Sequence, residues 1–170
     1  MATYQLIASS TLSSPASEIS FTSIPQTYTD LVIRASLRGV ATATTYIEMG
    51  FNATVTNINS INLNALTGSG QNSYNYATDL LDIAGETPYN WVASTFSNVE
   101  YTITNYTQAV HKVVSMDSIA GYASTSAYLG FTSGKYASNT AITSVQLIAS
   151  GGGDTFATYS SAFLYGIKNS

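Results

Sequence analysis

Residues 29–38 read TDLVIRASLR, and apolar side chains recur there at every second position. One face of an extended chain would be wholly apolar, and the other would hold most of the polar side chains. The apolar face consists of Leu31, Ile33, Ala35 and Leu37. Because side chains point to alternate sides of a strand, this period of two predicts a half-buried β-strand over Thr29–Arg38.

The same period predicts strands in eight further segments of the 170-residue chain. They are Tyr4–Leu12, Ser17–Ser23, Thr45–Ala53, Thr95–Tyr106, Ala109–Ile119, Tyr122–Ser133, Thr143–Ser150 and Phe156–Ile167. Turn signals separate them, at Pro15, Pro25, Gly39, Gly121, Gly134 and Gly151–Gly153. Nine strands without a long amphipathic helix predict one all-β domain over residues 1–170. The expected architecture is an antiparallel β-sandwich with jelly-roll topology.

The middle of the chain, residues 57–91, interrupts this rhythm. It predicts an irregular insertion, with at most one short helix or turn at Asn57–Leu66, because Asn is a poor helix-interior residue. Four aromatic residues cluster here, and they are Tyr74, Tyr76, Tyr89 and Trp91. Aromatic rings beside Asn and Ser can stack on sugars, bury against a protein partner, or pack a loop onto its own domain. These four residues are the candidate contact surface for a partner or glycan.

Charged residues make up 8% of the chain, against roughly 25% in an ordinary domain. There is no cysteine, which excludes disulfides and thiol chemistry. Five Lys and Arg residues are scattered along a chain of net charge −4, a pattern that argues against a nucleic-acid surface. So few titratable groups favour a protein without catalytic residues, metal or cofactor.

Two further features are candidate sites. His111, the only histidine, lacks a motif that would make it a catalytic base, so an ordinary strand role is expected. Asp79, Asp82 and Glu86 could offer oxygen ligands to a cation, but their spacing matches no EF-hand, and a solvated loop is expected.

The N-terminal segment has neither the basic residues nor the apolar core of a secretory signal, and no apolar run approaches the ~20 residues of a membrane span. We therefore expect a protein made in soluble form in the cytoplasm, without membrane partners.

Three motifs carry a resemblance to a known family. Residues 21–31 read FTSIPQTYTDL, residues 141–147 read AITSVQL, and residues 164–167 read LYGI. Together with the opening MATYQLI, they resemble small virion structural proteins of tailed bacteriophages, including cyanophages. The similarity covers both ends, about a third of the chain, and leaves the middle unaccounted for. It implies a β-fold and a place in the virion, and it brings no catalytic residues.

The resemblance and the composition together predict a non-enzymatic capsid decoration or cement protein that bridges major capsid subunits. Such a protein is expected to be a homo-oligomer, with a trimer as the expected state. The alternative is a tail-fibre or receptor-binding tip module that recognises host surface glycans through the aromatic middle. A depolymerase is the least favoured class, because catalysis needs titratable groups that this chain scarcely has.

Overall fold

The computed structural model describes residues 3–40, 45–66, 70–76, 81–87, 95–122, 126–150 and 155–168. These ranges contain twelve β-strands and no helix. The strands are β1 (Thr3–Thr11), β2 (Glu18–Phe21), β3 (Asp30–Leu37), β4 (Thr45–Phe51), β5 (Ile58–Leu66), β6 (Gly70–Tyr76), β7 (Leu81–Thr87), β8 (Ser97–Ile103), β9 (Lys112–Tyr122), β10 (Ser126–Tyr136), β11 (Val145–Ser150) and β12 (Ser161–Lys168). The prediction of an all-β fold is confirmed, and each of the nine predicted strands has a counterpart.

The strands form two antiparallel sheets, as a β-sandwich requires. The large sheet has eight strands in the order β1-β12-β3-β8-β9-β10-β5-β6, and the small sheet has four in the order β2-β11-β4-β7. Four antiparallel pairs are nested in sequence, β4 with β7, β3 with β8, β2 with β11, and β1 with β12. The jelly-roll topology stays a prediction, and this nesting is the feature that favours it.

The other four strands widen the large sheet beyond β8. Strands β9 and β10 pair with each other, β10 then pairs with β5, and β5 pairs with β6 at the sheet edge. We call β5, β6, β9 and β10 the extension. On its inner side it lies near β7, which contacts β5, β9 and β10.

The short helix or turn allowed at Asn57–Leu66 was wrong, because this segment is strand β5 from Ile58 onwards, and β6 and β7 also lie within residues 57–91. The rest of the predicted irregular insertion, at residues 67–69, 77–80 and 88–91, lies outside the described residues. Strand β5 is bonded on both sides, to β10 and to β6, so pairing overrides the weak local preference of its sequence.

The predicted turn at Gly134 was also wrong. This glycine lies inside β10, opposite Ser60 on β5 and Val114 on β9. Strand β10 therefore runs further than predicted, to Tyr136, because partners on both sides continue the hydrogen-bonded ladder.

The core lies between the two sheets and draws on the predicted alternation. Leu31, Ile33 and Leu37 of β3 are fully buried and share one cluster with Met49 of β4 and Leu147 of β11. Each such side chain contributes roughly 1.5–3 kcal/mol to the free energy of unfolding by leaving water.

The motifs behind the family resemblance pack against one another. The Tyr28 ring lies on Gly166, where an added Cβ would come within 2.3 Å of the ring. The Ile24 amide donates to the Thr143 carbonyl at 2.9 Å, and the Gln26 side-chain amide donates to the Ile142 carbonyl at 3.0 Å. These residues therefore have structural roles in the fold of this chain.

Candidate binding face

The outer face is the side of the large sheet that points away from the small sheet. In the extension this face carries six large apolar side chains, each 40% to 61% exposed. Val113 lies towards the start of β9, and the other five form what we call the apolar patch. They are Ile61, Leu63, Ile119, Leu129 and Phe131. Strand register makes them neighbours, because Phe131 lies opposite Leu63 on β5, and Leu129 lies opposite Ile119 on β9.

The inner face of the same strands mixes apolar and polar side chains. Ile58 of β5 and Val114 and Met116 of β9 are buried, as are Tyr128 and Tyr136 of β10. The polar side chains buried beside them are Ser60, Asn62, Ser118 and Thr132. The Thr132 hydroxyl donates a 2.6 Å hydrogen bond to the Asn62 side-chain oxygen, the kind of partner that a buried polar group needs because it has lost its hydrogen bonds to water. This part of the sheet therefore carries large apolar groups on both of its faces.

Charged residues border the apolar patch towards β8 and β3. The Arg34 Nε atom donates to the Glu100 carboxylate at 2.6 Å, and this pairing raises the pKa of Arg34 above its ordinary value. Asp117 lies directly opposite Glu100 on β9, so two like charges face each other across the strands. Among the described residues, Asp117 forms no ion pair.

Shallow cavities open on this face. The one that we call the larger cavity, about 460 Å³, is lined by Arg34, Asn98, Glu100, Asp117 and Ser118 together with Ile119, Leu129 and Phe131. A second, about 400 Å³, is lined mainly by the outer residues Ile61, Val113 and Lys135 and their neighbours. A third, about 180 Å³, lies between Leu63, Leu129 and Phe131 and has a mainly apolar lining. Apolar walls with a few convergent polar groups are typical of ligand sites and partner contacts.

Two of the four aromatic residues predicted as a contact surface belong to the described structure. Tyr74 and Tyr76 lie on β6, paired with Asn62 and Ser60 of β5. Those two partners occupy buried positions of the inner face. Tyr89 and Trp91 lie outside the described residues, so the contact role of all four stays a prediction.

The other two candidate features have simple positions. His111 is exposed and directly precedes β9. Asp82 and Glu86 lie on strand β7 and not in the expected loop, because β7 pairs with β4, where Glu48 is opposite Asp82. Asp79 lies outside the described residues. Within the described ranges, no three His, Cys, Asp or Glu side chains are grouped to hold a metal ion.

The apolar patch was missed from the sequence, although a signal was present. Residues 126–136 alternate Leu129 and Phe131 with Gly130 and Thr132, so the apolar side was the natural candidate for the core. A strand whose other face carries glycine and threonine can pack that side closely against the protein and leave the bulky side outside.

No protein-family model matches this chain, and no curated protein or solved structure is similar to it. Within the described part of the chain, no helix is long and apolar enough to cross a membrane.

Proposed function

We propose that this protein is a non-enzymatic structural component of a tailed-phage virion, a capsid decoration or cement protein that bridges major capsid subunits. The observation that carries the proposal is the apolar patch, exposed on a hydrogen-bonded sheet instead of on a loop. Contiguous apolar surface of this kind marks contact with other macromolecules.

The rest of the molecule supports an assembly role over a catalytic one. The carboxylates of the outer face, Glu100 and Asp117, lie beside Arg34, and His111 precedes β9 without joining them in the lining of the larger cavity. The nested pairs support a jelly-roll topology, a compact unit that presents a broad sheet to its neighbours. The protein is made soluble in the host cytoplasm and ends in the virion, as a homo-oligomer for which a trimer is the expected state.

The test uses phage particles that lack this protein. A ligand that binds only the assembled shell stabilises it by mass action, so these particles should assemble but rupture at lower temperature or under osmotic shock. Added wild-type protein should restore stability. Particles that keep full stability without the protein would contradict the decoration role.

One observation favours the second candidate, a tail-fibre or receptor-binding tip that recognises host glycans. The larger cavity brings Arg34, Asn98 and Asp117 next to the Phe131 ring, and sugars are bound by such polar groups beside an aromatic face. Stripped particles that keep their stability but fail to adsorb to host cells would favour this function. Asn98→Ala and Asp117→Asn, with Tyr74→Ala and Trp91→Ala for the aromatic middle, would then be the first variants to measure.

A further inference from the structure

The apolar patch is too large to be explained as scattered surface residues. Five large apolar side chains lie on three adjacent strands, and they are exposed although the inner face of the same strands already buries apolar side chains such as Ile58, Val114 and Met116. Water contact with such a patch is unfavourable by roughly 25 cal/mol for each Å². A partner that covers it would remove this cost.

The charges beside the patch indicate what that partner is. Lys135 is exposed on β10 opposite Val113, and Asp117 lies four residues further along β9. At about 3.3 Å per residue, some 13 Å of strand separates the two charges. Among the described residues neither forms an ion pair, because Glu100 is the partner of Arg34.

We infer that a second copy of this chain covers the apolar patch, with Asp117 of each copy next to Lys135 of its neighbour. The exposed Ser115 and Ser133 lie midway between the two charges. A two-fold axis through that point, lying in the plane of the contact, places Asp117 of each copy against Lys135 of the other. The same face of both copies is therefore complementary in charge. This inference rests on the homo-oligomer of the proposed function. It assigns the apolar patch to the contact between copies, which leaves other surfaces to contact the capsid.

The net charge of the whole chain also bears on a contact between two copies. Each copy carries a net charge of −4, so two copies repel unless cations lie where they meet. Two of the five Lys and Arg residues, Arg34 and Lys135, are exposed on the outer face around the patch. Because the same face of both copies takes part, this contact forms a two-fold dimer and not the trimer named as the expected state.

Charge reversal tests the contact directly, with sedimentation equilibrium over a range of protein concentrations. Asp117→Lys and Lys135→Asp should each weaken association at least about tenfold, because like charges then meet across the interface. The double variant Asp117→Lys/Lys135→Asp should regain association. Within one copy the two residues are too far apart to pair, so recovery must come from contact between copies.

A matched pair of leucines tests the apolar contribution. Leu63 in the patch and Leu6 on β1 are both 52% exposed on the large sheet, and six strand spacings, about 29 Å, separate their strands. Leu63→Gln should weaken association at least about tenfold, whereas Leu6→Gln should leave it unchanged. Both side chains are half exposed, so both variants should fold, which circular dichroism checks.

Hydroxyl-radical footprinting of the wild-type protein gives a readout without variants. Oxidation of Phe131 and Leu63 should rise when the protein is diluted until it dissociates, while oxidation of Leu6 stays constant. A wild-type protein that is monomeric at all concentrations would overturn the inference, as would an oligomer unaffected by Leu63→Gln. Protection of Phe131 only on added capsids would likewise overturn it and would leave the decoration function supported.

Discussion

Strands β3 and β10 share the large sheet and the same alternation, but the centre of β10 buries different side chains from β3. In β3 the inner positions hold Ile33 and its apolar neighbours, and Arg34 faces out. In the centre of β10, between the buried Tyr128 and Tyr136, the inner positions hold Gly130 and Thr132, and Phe131 faces out. A period of two therefore identifies a strand, whereas the surface packed against that strand decides which of its faces is buried.

The largest difference in the free energy of unfolding is expected between a substitution at an inner position of β3 and one at an outer position of β10. Ile33→Asp places an unpaired carboxylate in the core and should cost more than about 4 kcal/mol, enough to unfold the protein. Phe131→Asp changes an exposed position and should alter monomer stability by only about 0.5 kcal/mol. Urea unfolding of dilute protein measures both, and equal losses would contradict the assignment of faces.

A smaller loss of stability is expected when a buried hydrogen bond of the extension is removed. Thr132→Val removes the hydroxyl that donates to Asn62 and should cost about 1 kcal/mol. Ser133→Val is the matched control, since the same strand turns this next residue outward. A Thr132→Val variant as stable as the control would show that the buried hydrogen bond contributes nothing.

The extension also buries a cation on its inner face, at Lys112. Its ammonium group donates to the carbonyls of Thr140 at 2.6 Å and Ser138 at 3.2 Å, and burial lowers its pKa below the ordinary 10.5. At a pH between the lowered pKa of the folded chain and 10.5, the unfolded chain binds this proton more than the folded chain does. The free energy of unfolding therefore rises with pH in this window.

Lys112→Met should abolish that rise. Tyr101 acts in the opposite direction, because burial raises the pKa of its phenol, and the unfolded chain then loses that proton first as pH rises above 10. Both proteins contain Tyr101, so the difference between their unfolding free energies isolates Lys112. In urea unfolding from pH 8 to 10.5, the free energy of unfolding of the wild type should rise relative to that of the variant. Parallel curves for the two proteins would contradict this.

The smallest effect should be at the exposed ion pair of β3. Arg34→Ser removes the bond to Glu100, but both side chains are substantially exposed, so stability should change by no more than about 0.5 kcal/mol. Thermal melting at low and high salt checks this result. A loss comparable with that of Ile33→Asp would show that the two faces of β3 are wrongly assigned.

The same differences between strands explain which strands could be predicted from the sequence and which could not. Strands β3, β8 and β11 were found because most of their apolar residues face the core, with Val32 and Ile148 as exceptions. Strand β5 was missed because Ile58 is buried while Ile61 and Leu63 are exposed, so its apolar residues follow no single period. Strand β6, which reads GQNSYNY, has no aliphatic residue at all.

The candidate site could not be predicted for the same reason. The alternation of Lys112, Val114 and Met116 with Val113 and Asp117 was recognised, and the first three are indeed buried together. Which strands adjoin β9 and β10 depends on pairings between segments far apart in the chain. Only those pairings place Leu63 beside Phe131 and Glu100 beside Asp117.

The nested strand pairs also suggest an order in which the chain folds. Strand β1 pairs with β12, so Thr3 meets Lys168, a contact whose loop-closure entropy is large if it forms alone. If β4·β7 and β3·β8 form first, each later pair closes a shorter loop than it would alone, so pairing proceeds from the inner strand pairs to the outer ones. We then expect Ala162→Gly on β12 to speed unfolding with little effect on the folding rate, which stopped-flow kinetics would measure.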